Sequence, residues 1–439
     1  MEIEGLAAGG RGVARPEGMT WFVPGGLPGE RVLARARRRH ARFVEGSLVR
    51  LVRPSPARRP PACPLQPRCG GCPWMILEEG EQRAWKSRLL RDALQRIGRL
   101  EGVEPEAILP APQPFAYRNR VEFTVKATGS GVLVGLHAGG SESRIVDVDR
   151  CPVQHETANR ILAGVRTFLR RPGAPPPDAY DRREPHRLII RRSGLTGEAL
   201  VVLRETSKPF PEAKALAEFL FERHREIAGV VRLRAAAGRR GGGRVLPVLG
   251  RDWIEERVGQ TTFRLPAVSF IQVSTEMATA LSELVIDCAG AVDGGEVFDL
   301  YGGVGVYGLA LARRGASVTI CEADGDAVRC ARRAARDHGL APVRVVRASV
   351  ADFLREAAGE DRRPRVVIAN PPRTGMGAEV SGAIAELGPE RLVLVSCDPA
   401  TLARDTRTLV DRGYAVRRAI PVDLFPQTAH VEALLLLTR

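Results

Sequence analysis

The chain of 439 residues is 44% hydrophobic and 27% charged, long enough for two or three domains that each bury a core. Its 66 Lys and Arg against 51 Asp and Glu leave a formal charge of +15, which favours a polyanionic partner, while aromatics at 5% offer no broad base-stacking surface. The acidic, glycine-rich start MEIEGLAAGG is not a secretory pattern, and no apolar run, the C-terminal ALLLL included, is long enough to span a membrane. A cytoplasmic monomer without membrane contact is therefore expected. Its eight cysteines are not disulfides in that compartment, so each needs a metal, a catalytic role or a core position.

Residues 1–56 read as short strands between Gly and Pro turns, which predicts a small antiparallel β-barrel. Arg35, Arg37, Arg38, Arg39 and Arg42 cluster on its middle strand and loop, either as a solvated face or as a nucleic-acid contact. Residues 57–260 read as a mixed α+β central domain. It opens on the irregular loop ARRPPACPLQPRCGGCPWM, followed by a helix over about 78–98 with Leu89, Leu90, Leu94 and Ile97 at helical spacing. That helix can pack on the C-terminal domain instead. Strands then dominate, with helices near 153–170 and 211–225 and breaker-rich loops at PGAPPPD and AGRRGGGR. Within this region Cys63, Cys69 and Cys72 stand as C-x₅-C-x₂-C, and Cys151 precedes Pro152. By spacing alone, a zinc site and an iron–sulfur cluster both remain open. Cys288, Cys321 and Cys330 lie in apolar contexts and read as core.

From 261 to 439 near-continuous apolar strands alternate with helices, which predicts an α/β domain with a doubly wound, mostly parallel sheet. Its strand ends are polar. The first runs through Asp299 into Tyr301 and a turn carrying Gly302, Gly303 and Gly305; the second ends in Glu322; the fourth in Asn370-Pro371-Pro372; the fifth in Cys397. Ligands bind outside the carboxyl ends of such sheets, so these residues can share one crevice. An Asn-Pro-Pro at that position is typical of Rossmann-like S-adenosylmethionine-dependent methyltransferases and not of dehydrogenases.

Taken with these, AYRNRVEF, SFIQVS, NPPRTG, VSCDPATLARD and FPQTAHVE appear in an order that resembles the RNA (uracil-5-)-methyltransferase family. The resemblance runs through the whole chain, and residues 1–56 resemble that family's TRAM RNA-binding barrel. It implies formation of 5-methyluridine in RNA, with 23S ribosomal RNA favoured over tRNA. In this chemistry a thiolate adds at carbon 6 of uracil so that carbon 5 can attack a methyl sulfonium, dividing one difficult step into easier ones. The resemblance places Cys397 as that nucleophile and Glu432 as the base that removes the carbon 5 proton. It places Gln272, Tyr301, Gly303, Glu322 and Asn370 on S-adenosylmethionine and Phe270 beside the target base, and it turns Cys63, Cys69, Cys72 and Cys151 into ligands of a [4Fe-4S] cluster. Two positions depart from the family's pattern: Asn370 stands where Asp is common, and Gly302 where many members have Cys. The competing readings are a cytosine-5 RNA methyltransferase and a non-catalytic RNA-binding assembly factor.

Overall fold

The computed structural model of the protein describes residues 1–129, 131–181, 184–235 and 243–439. The stretch AGRRGGGR, apart from its last two residues, lies outside them. In the N-terminal sheet the strands lie in the order Gly5–Leu6, Gly12–Ala14, Thr20–Val23, Phe43–Arg53, Arg31–Arg39. The sheet curls on itself: Glu2 bridges Arg31, and Met1 and Val32 exchange both backbone hydrogen bonds at 2.9 Å. Ile3, Ala14, Val23 and Val32 fill its interior. The alternating pattern of Arg31–Arg39 buries Val32 and turns Arg35, Arg37 and Arg39 outward. One pair departs from the antiparallel expectation: Thr20–Val23 runs parallel to Phe43–Arg53, because the Arg31–Arg39 strand intervenes and no hairpin joins them.

The middle region forms a seven-stranded sheet in the order Gly243–Gly250, Ile227–Ala235, Ala199–Glu205, His186–Arg192, Arg120–Thr128, Gly131–His137, Ile145–Asp147. The helices Glu156–Leu169 and Ala213–Arg223 share a core with it, through Ile161, Leu162, Val165, Leu216 and Leu220 against Phe123, Leu188 and Val201.

The C-terminal sheet is also seven-stranded, in the order Val343–Arg347, Ser317–Glu322, Glu296–Leu300, Val366–Ala369, Arg391–Ser396, Glu432–Thr438, Ala415–Val422. Five strands run parallel; the inner four are largely apolar because helices cover both faces, while the edge strand Val343–Arg347 exposes Arg344 and Arg347. Glu432–Thr438 enters antiparallel between Arg391–Ser396 and Ala415–Val422. That insertion carries Glu432 toward the same end of the sheet as Ser396, since Ser396 pairs with Ala433. The strand order reverses between Glu296–Leu300 and Val366–Ala369, the switch point where a doubly wound sheet opens its ligand crevice.

Two segments from earlier in the chain complete this part. The hairpin Trp253–Val258 and Thr261–Pro266 buries Val258, Phe263 and Leu265 with Val297 and Ile320. On the other face, the helix Glu79–Arg96 inserts Leu90, Ala93 and Leu94 beside Phe298, Leu394 and Leu435.

Candidate active site

Cys397 follows the last residue of the strand Arg391–Ser396 and directly precedes a helix N-cap. The Asp398 carboxylate accepts from the backbone N–H groups of Ala400 and Thr401, both at 3.0 Å, and Pro399 occupies the first helical turn. Asp-Pro thus starts a helix as well as ending a strand, and the half-buried thiol sits in the short gap between them.

Glu432 begins the neighbouring antiparallel strand and is 1% exposed. Burial pushes its carboxyl up to about 8, and the guanidinium of Arg373 opposes the shift. The Cys397 thiol is pushed up as well, first by burial and then by the charge of Glu432; Arg373, hydrogen-bonded to the sulfur, again opposes. Cys397 and Glu432 therefore compete to carry one negative charge beside a single guanidinium. Such a constellation can form a thiolate and hold a weakly acidic proton acceptor at neutral pH.

Arg373 is the residue that sequence reasoning missed. It lies in NPPRTG, and its position depends on helix Pro399–Val410. There Asp405 accepts from the N–H groups of Met376 and Gly377, Arg404 donates to Thr374 O at 2.9 Å, and Thr401 donates to Arg373 O at 3.3 Å. Tyr307 is a second addition. Burial drives its hydroxyl pKa up, followed by the charges of Glu432 and Asp299, while Gln272 hydrogen-bonds it. Gln272 is thereby linked to the Glu432 side of the crevice.

At the glycine turn the backbone is held against the second strand: the Gly303 N–H donates to Glu322 at 2.9 Å, and Glu322 also accepts from Asp324 N–H at 2.8 Å. Tyr301 takes a left-handed backbone with φ of 56°, a costly state for a non-glycine residue and one concentrated at ligand sites. A Cβ built on Gly302 would lie 2.6 Å from Ile320 Cγ2 and 3.1 Å from Asp299 Cγ, so in this chain the glycine fits its neighbours closely. At Gly303 a Cβ would meet nothing within 4 Å, which leaves open space beside the turn. Asp299, beneath the turn, is fully buried; burial drives its carboxyl up to about 7 although it accepts from Gly308 N–H at 2.8 Å. Asn370 follows the strand Val366–Ala369, its N–H donating to Leu300 O at 3.3 Å across the switch point.

The SFIQVS segment is pinned from the central sheet. Asn119 donates its side-chain amide to Gln272 O at 3.0 Å and its backbone N–H to Val273 O at 2.7 Å, and the buried Arg191 donates to Pro266 O at 3.0 Å and to Ser269 O. Phe270 projects from this pinned segment with 65% of its surface exposed, an unusual state for a large aromatic side chain.

The FPQTAH loop, between the last two strands in sequence, is held by four separate segments. Lys86, 0% exposed, donates to Asp423 at 2.5 Å and to Phe425 O at 2.9 Å. Gln82 bonds Gln427 in both directions, Arg59 donates to Gln427 Oε1 at 2.7 Å, and Tyr117 OH donates to Pro426 O at 3.1 Å. Gly10, from the N-terminal sheet, approaches so closely that a Cβ there would lie 3.1 Å from the Ala429 Cβ. His430, two residues before Glu432, has its imidazole pKa lowered to about 4, by burial first and then by the charges of Arg373, Lys86 and Arg118.

The four clustered cysteines come together around the Arg120–Thr128 side of the central core. Cys151 lies in that core, with Cys63 and Cys72 packed against it. The Cys72 thiol is pushed up to about 12, by burial first and then by the charges of Cys151, Cys69 and Cys63. Burial first, and then the charges of Cys69 and Cys63, raise Cys151 to about 11. Among the described residues, however, no three His, Cys, Asp or Glu side chains are close enough to hold a metal ion. Cys288, Cys321 and Cys330 are buried, as the sequence predicts.

A switch-point crevice lined by a glycine turn, a second-strand glutamate and an Asn-Pro-Pro defines a methyltransferase that uses S-adenosylmethionine. The family described as tRNA (uracil-5-)-methyltransferase matches residues 236–439. An uncharacterized RNA methyltransferase of Gloeobacter violaceus is 35% identical over 446 residues, covering 100% of this chain and 95% of its own length. An uncharacterized RNA methyltransferase of Nitratidesulfovibrio vulgaris is also 35% identical, over 448 residues and the same shares of both chains. The fold is shared with the Pyrococcus abyssi tRNA (uracil-54, C5)-methyltransferase in complex with S-adenosyl-L-homocysteine, at a TM-score of 0.76 and 24% identity over 100% of both chains. The chain belongs to the RNA (uracil-5-)-methyltransferase family, and is an S-adenosylmethionine-dependent RNA methyltransferase of the uracil-5 class. Among the described residues no helix is long and apolar enough to cross a membrane.

Proposed function

We propose that the protein forms 5-methyluridine in 23S ribosomal RNA through a covalent bond between Cys397 and carbon 6 of the target uracil. The observation that carries this reading is the Cys397–Arg373–Glu432 group: a thiol and a fully buried carboxyl, both under the influence of one guanidinium. Phe270 supports the flipped-out base by its face. The Cys397 thiol gives up its proton to solvent water and, as thiolate, adds to carbon 6, moving the electron pair of the carbon 5–carbon 6 double bond toward carbon 5 and the ring carbonyl. Arg373 favours the thiolate by charge and hydrogen bond. S-adenosylmethionine, when bound, supplies the methyl group that carbon 5 takes. Glu432 as carboxylate then removes the carbon 5 proton, the double bond re-forms, and the sulfur–carbon 6 bond breaks to release the thiolate.

Gln272, Tyr301, Gly303, Glu322 and Asn370 would hold S-adenosylmethionine, and the open space beside Gly303 and the strained Tyr301 backbone fit that role. Asn370 accepts hydrogen bonds as Asp would, without the charge and with an added donor. Cys63, Cys69, Cys72 and Cys151 would hold a [4Fe-4S] cluster. Their mutual electrostatic influence fits a site that gathers four thiolates. The cluster would fix the loop that carries Trp74, whose N–H donates to Gln427 O at 3.1 Å. The outward arginines of residues 1–56 would grip RNA phosphates as a TRAM barrel, in the cytoplasm and as a monomer. Ribosomal RNA is favoured because the curled N-terminal sheet and the four cysteines occur together.

The test is to incubate the protein with methyl-labelled S-adenosylmethionine and total RNA from a strain lacking the gene. Label recovered as 5-methyluridine at a site in 23S RNA is the expected result. Label confined to tRNA would overturn the ribosomal assignment, and label in 5-methylcytidine would overturn the base.

A further inference from the structure

A groove of about 370 Å³ runs beside the helix Gly325–Asp337, away from the crevice residues described above. Arg264, Arg329, Arg332, Arg333 and Arg336 line it against one carboxylate, Asp252. A second hollow of about 400 Å³ continues it toward the edge strand Val343–Arg347 and shares Arg332 and Arg336 with the first. The helix exposes Arg329, Arg332, Arg333 and Arg336 because its alanines, Ala327, Ala331, Ala334 and Ala335, are spent on the sheet side.

Two of the guanidinium groups are fixed. Arg332 donates to Val345 O at 2.8 Å, and Arg264 lies over the Trp253 ring at 4.8 Å. Arg329 and Arg333 pair with Asp326 and Asp337 on the exposed helix surface, contacts of small worth that a phosphate can replace. The groove begins at Pro266, and Phe270 is four residues further along the same pinned segment. Four residues span at most about 14 Å, which keeps the groove within reach of nucleotides flanking a base at Phe270.

We infer that this arginine groove is a second RNA-binding site, which grips the phosphate backbone of single-stranded nucleotides flanking the target. Five guanidinium groups outnumber the carboxylates beside them, Asp252, Glu255, Asp326 and Asp337, which matches a polyanion, and Arg suits bidentate phosphate contacts. The inference rests on the RNA-modifying reading only for the identity of the polyanion; it does not depend on which base is methylated or on Cys397.

The test uses the full chain with Arg329→Gln, Arg333→Gln and Arg336→Gln combined, all three exposed and outside the crevice. A fluorescein-labelled single-stranded RNA of about 15 nucleotides is titrated by anisotropy across a salt series. Each lost phosphate contact lowers the slope of log affinity against log salt by about 0.7, so the triple variant should lose about 2 in slope and bind at least about tenfold more weakly at low salt. The corresponding triple Lys variant, which keeps the charge, should recover most of the affinity. Methylation by the wild type and the kcat of the variant at saturating RNA are read in parallel. Loss of affinity and slope with kcat kept supports the groove. If the binding difference appears while the wild type makes no 5-methyluridine, the uracil reading fails and the groove stands. Unchanged affinity and slope in the triple Gln variant, whatever the activity, would overturn the groove.

Discussion

Replacing Glu432 by Gln removes the charge but keeps the shape and hydrogen-bonding reach of a side chain that is 1% exposed. Burial holds the native carboxyl at about 8, against an ordinary value of 4.5 in the unfolded chain. Because the folded pKa is the higher one, the folded state binds the proton more tightly. This contribution to stability is full below the unfolded pKa and is lost as pH rises through about 8. A displacement of 3.5, from 4.5 to 8, corresponds to about 5 kcal/mol in the limit, of which about 4 kcal/mol falls between about pH 5 and about pH 9. Glu432→Gln should abolish that part of the pH dependence. The thermal midpoint of the variant should therefore rise relative to wild type as the pH is raised, the two converging near pH 5. Wild-type turnover limited by proton removal should rise with pH through about 8, since the base must be ionised to act. The variant should methylate once and remain bound to RNA, because the carbon 5 proton has no acceptor. Parallel midpoint curves across the pH range would refute the buried-carboxyl argument, and normal turnover by the variant would refute the base assignment.

Arg373→Ala removes the cation that opposes burial at Cys397, so the pH at which iodoacetamide alkylates this thiol should move upward; an unmoved profile would detach Arg373 from the thiol. Lys86→Met leaves the Asp423 carboxylate buried without its partner and should cost about 3–5 kcal/mol in thermal or denaturant unfolding, with activity lost before the fold is, since the FPQTAH loop is released. Gly302→Ala drives a methyl toward Ile320 Cγ2 and should cost about 1–3 kcal/mol in denaturant unfolding while raising the KM for S-adenosylmethionine; an unchanged KM would detach the glycine turn from the cofactor. Cys72→Ser should lower bound iron in anaerobically purified protein and loosen the loop around Trp74, detected as faster proteolysis there; full iron content would remove Cys72 from the ligand set.

Much of the catalytic sheet is legible in the sequence because its inner strands are short, largely apolar and separated by helices with clear caps. Among the helices that alternate with them, Gly325–Asp337 is capped by Asp324 and Thr275–Ala289 by Ser274. What the sequence does not display is pairing between distant segments. The antiparallel entry of Glu432–Thr438 looks like one more apolar strand, since its direction depends on a loop that turns the chain back. Lys86 reads as an ordinary helix-surface residue until Asp423, 337 positions away, is seen opposite it. Arg373 is visible within its motif, yet its alignment on the thiol depends on Asp405 and Arg404 holding the loop from the next helix. The hairpin ending at Pro266 buries its apolar residues with the catalytic sheet, although its alternating sequence resembles the strands of the preceding sheet.

The covalent step is tested most directly by RNA in which the target uridine is replaced by 5-fluorouridine. Fluorine at carbon 5 leaves no proton for Glu432 to remove, so the reaction should stall with the base attached to the enzyme. Mass spectrometry of the digested complex is expected to find the nucleotide, carrying one added methyl group, on the peptide containing Cys397. A nucleotide bonded to any other residue, or no covalent complex from an enzyme that methylates ordinary uridine, would contradict the account.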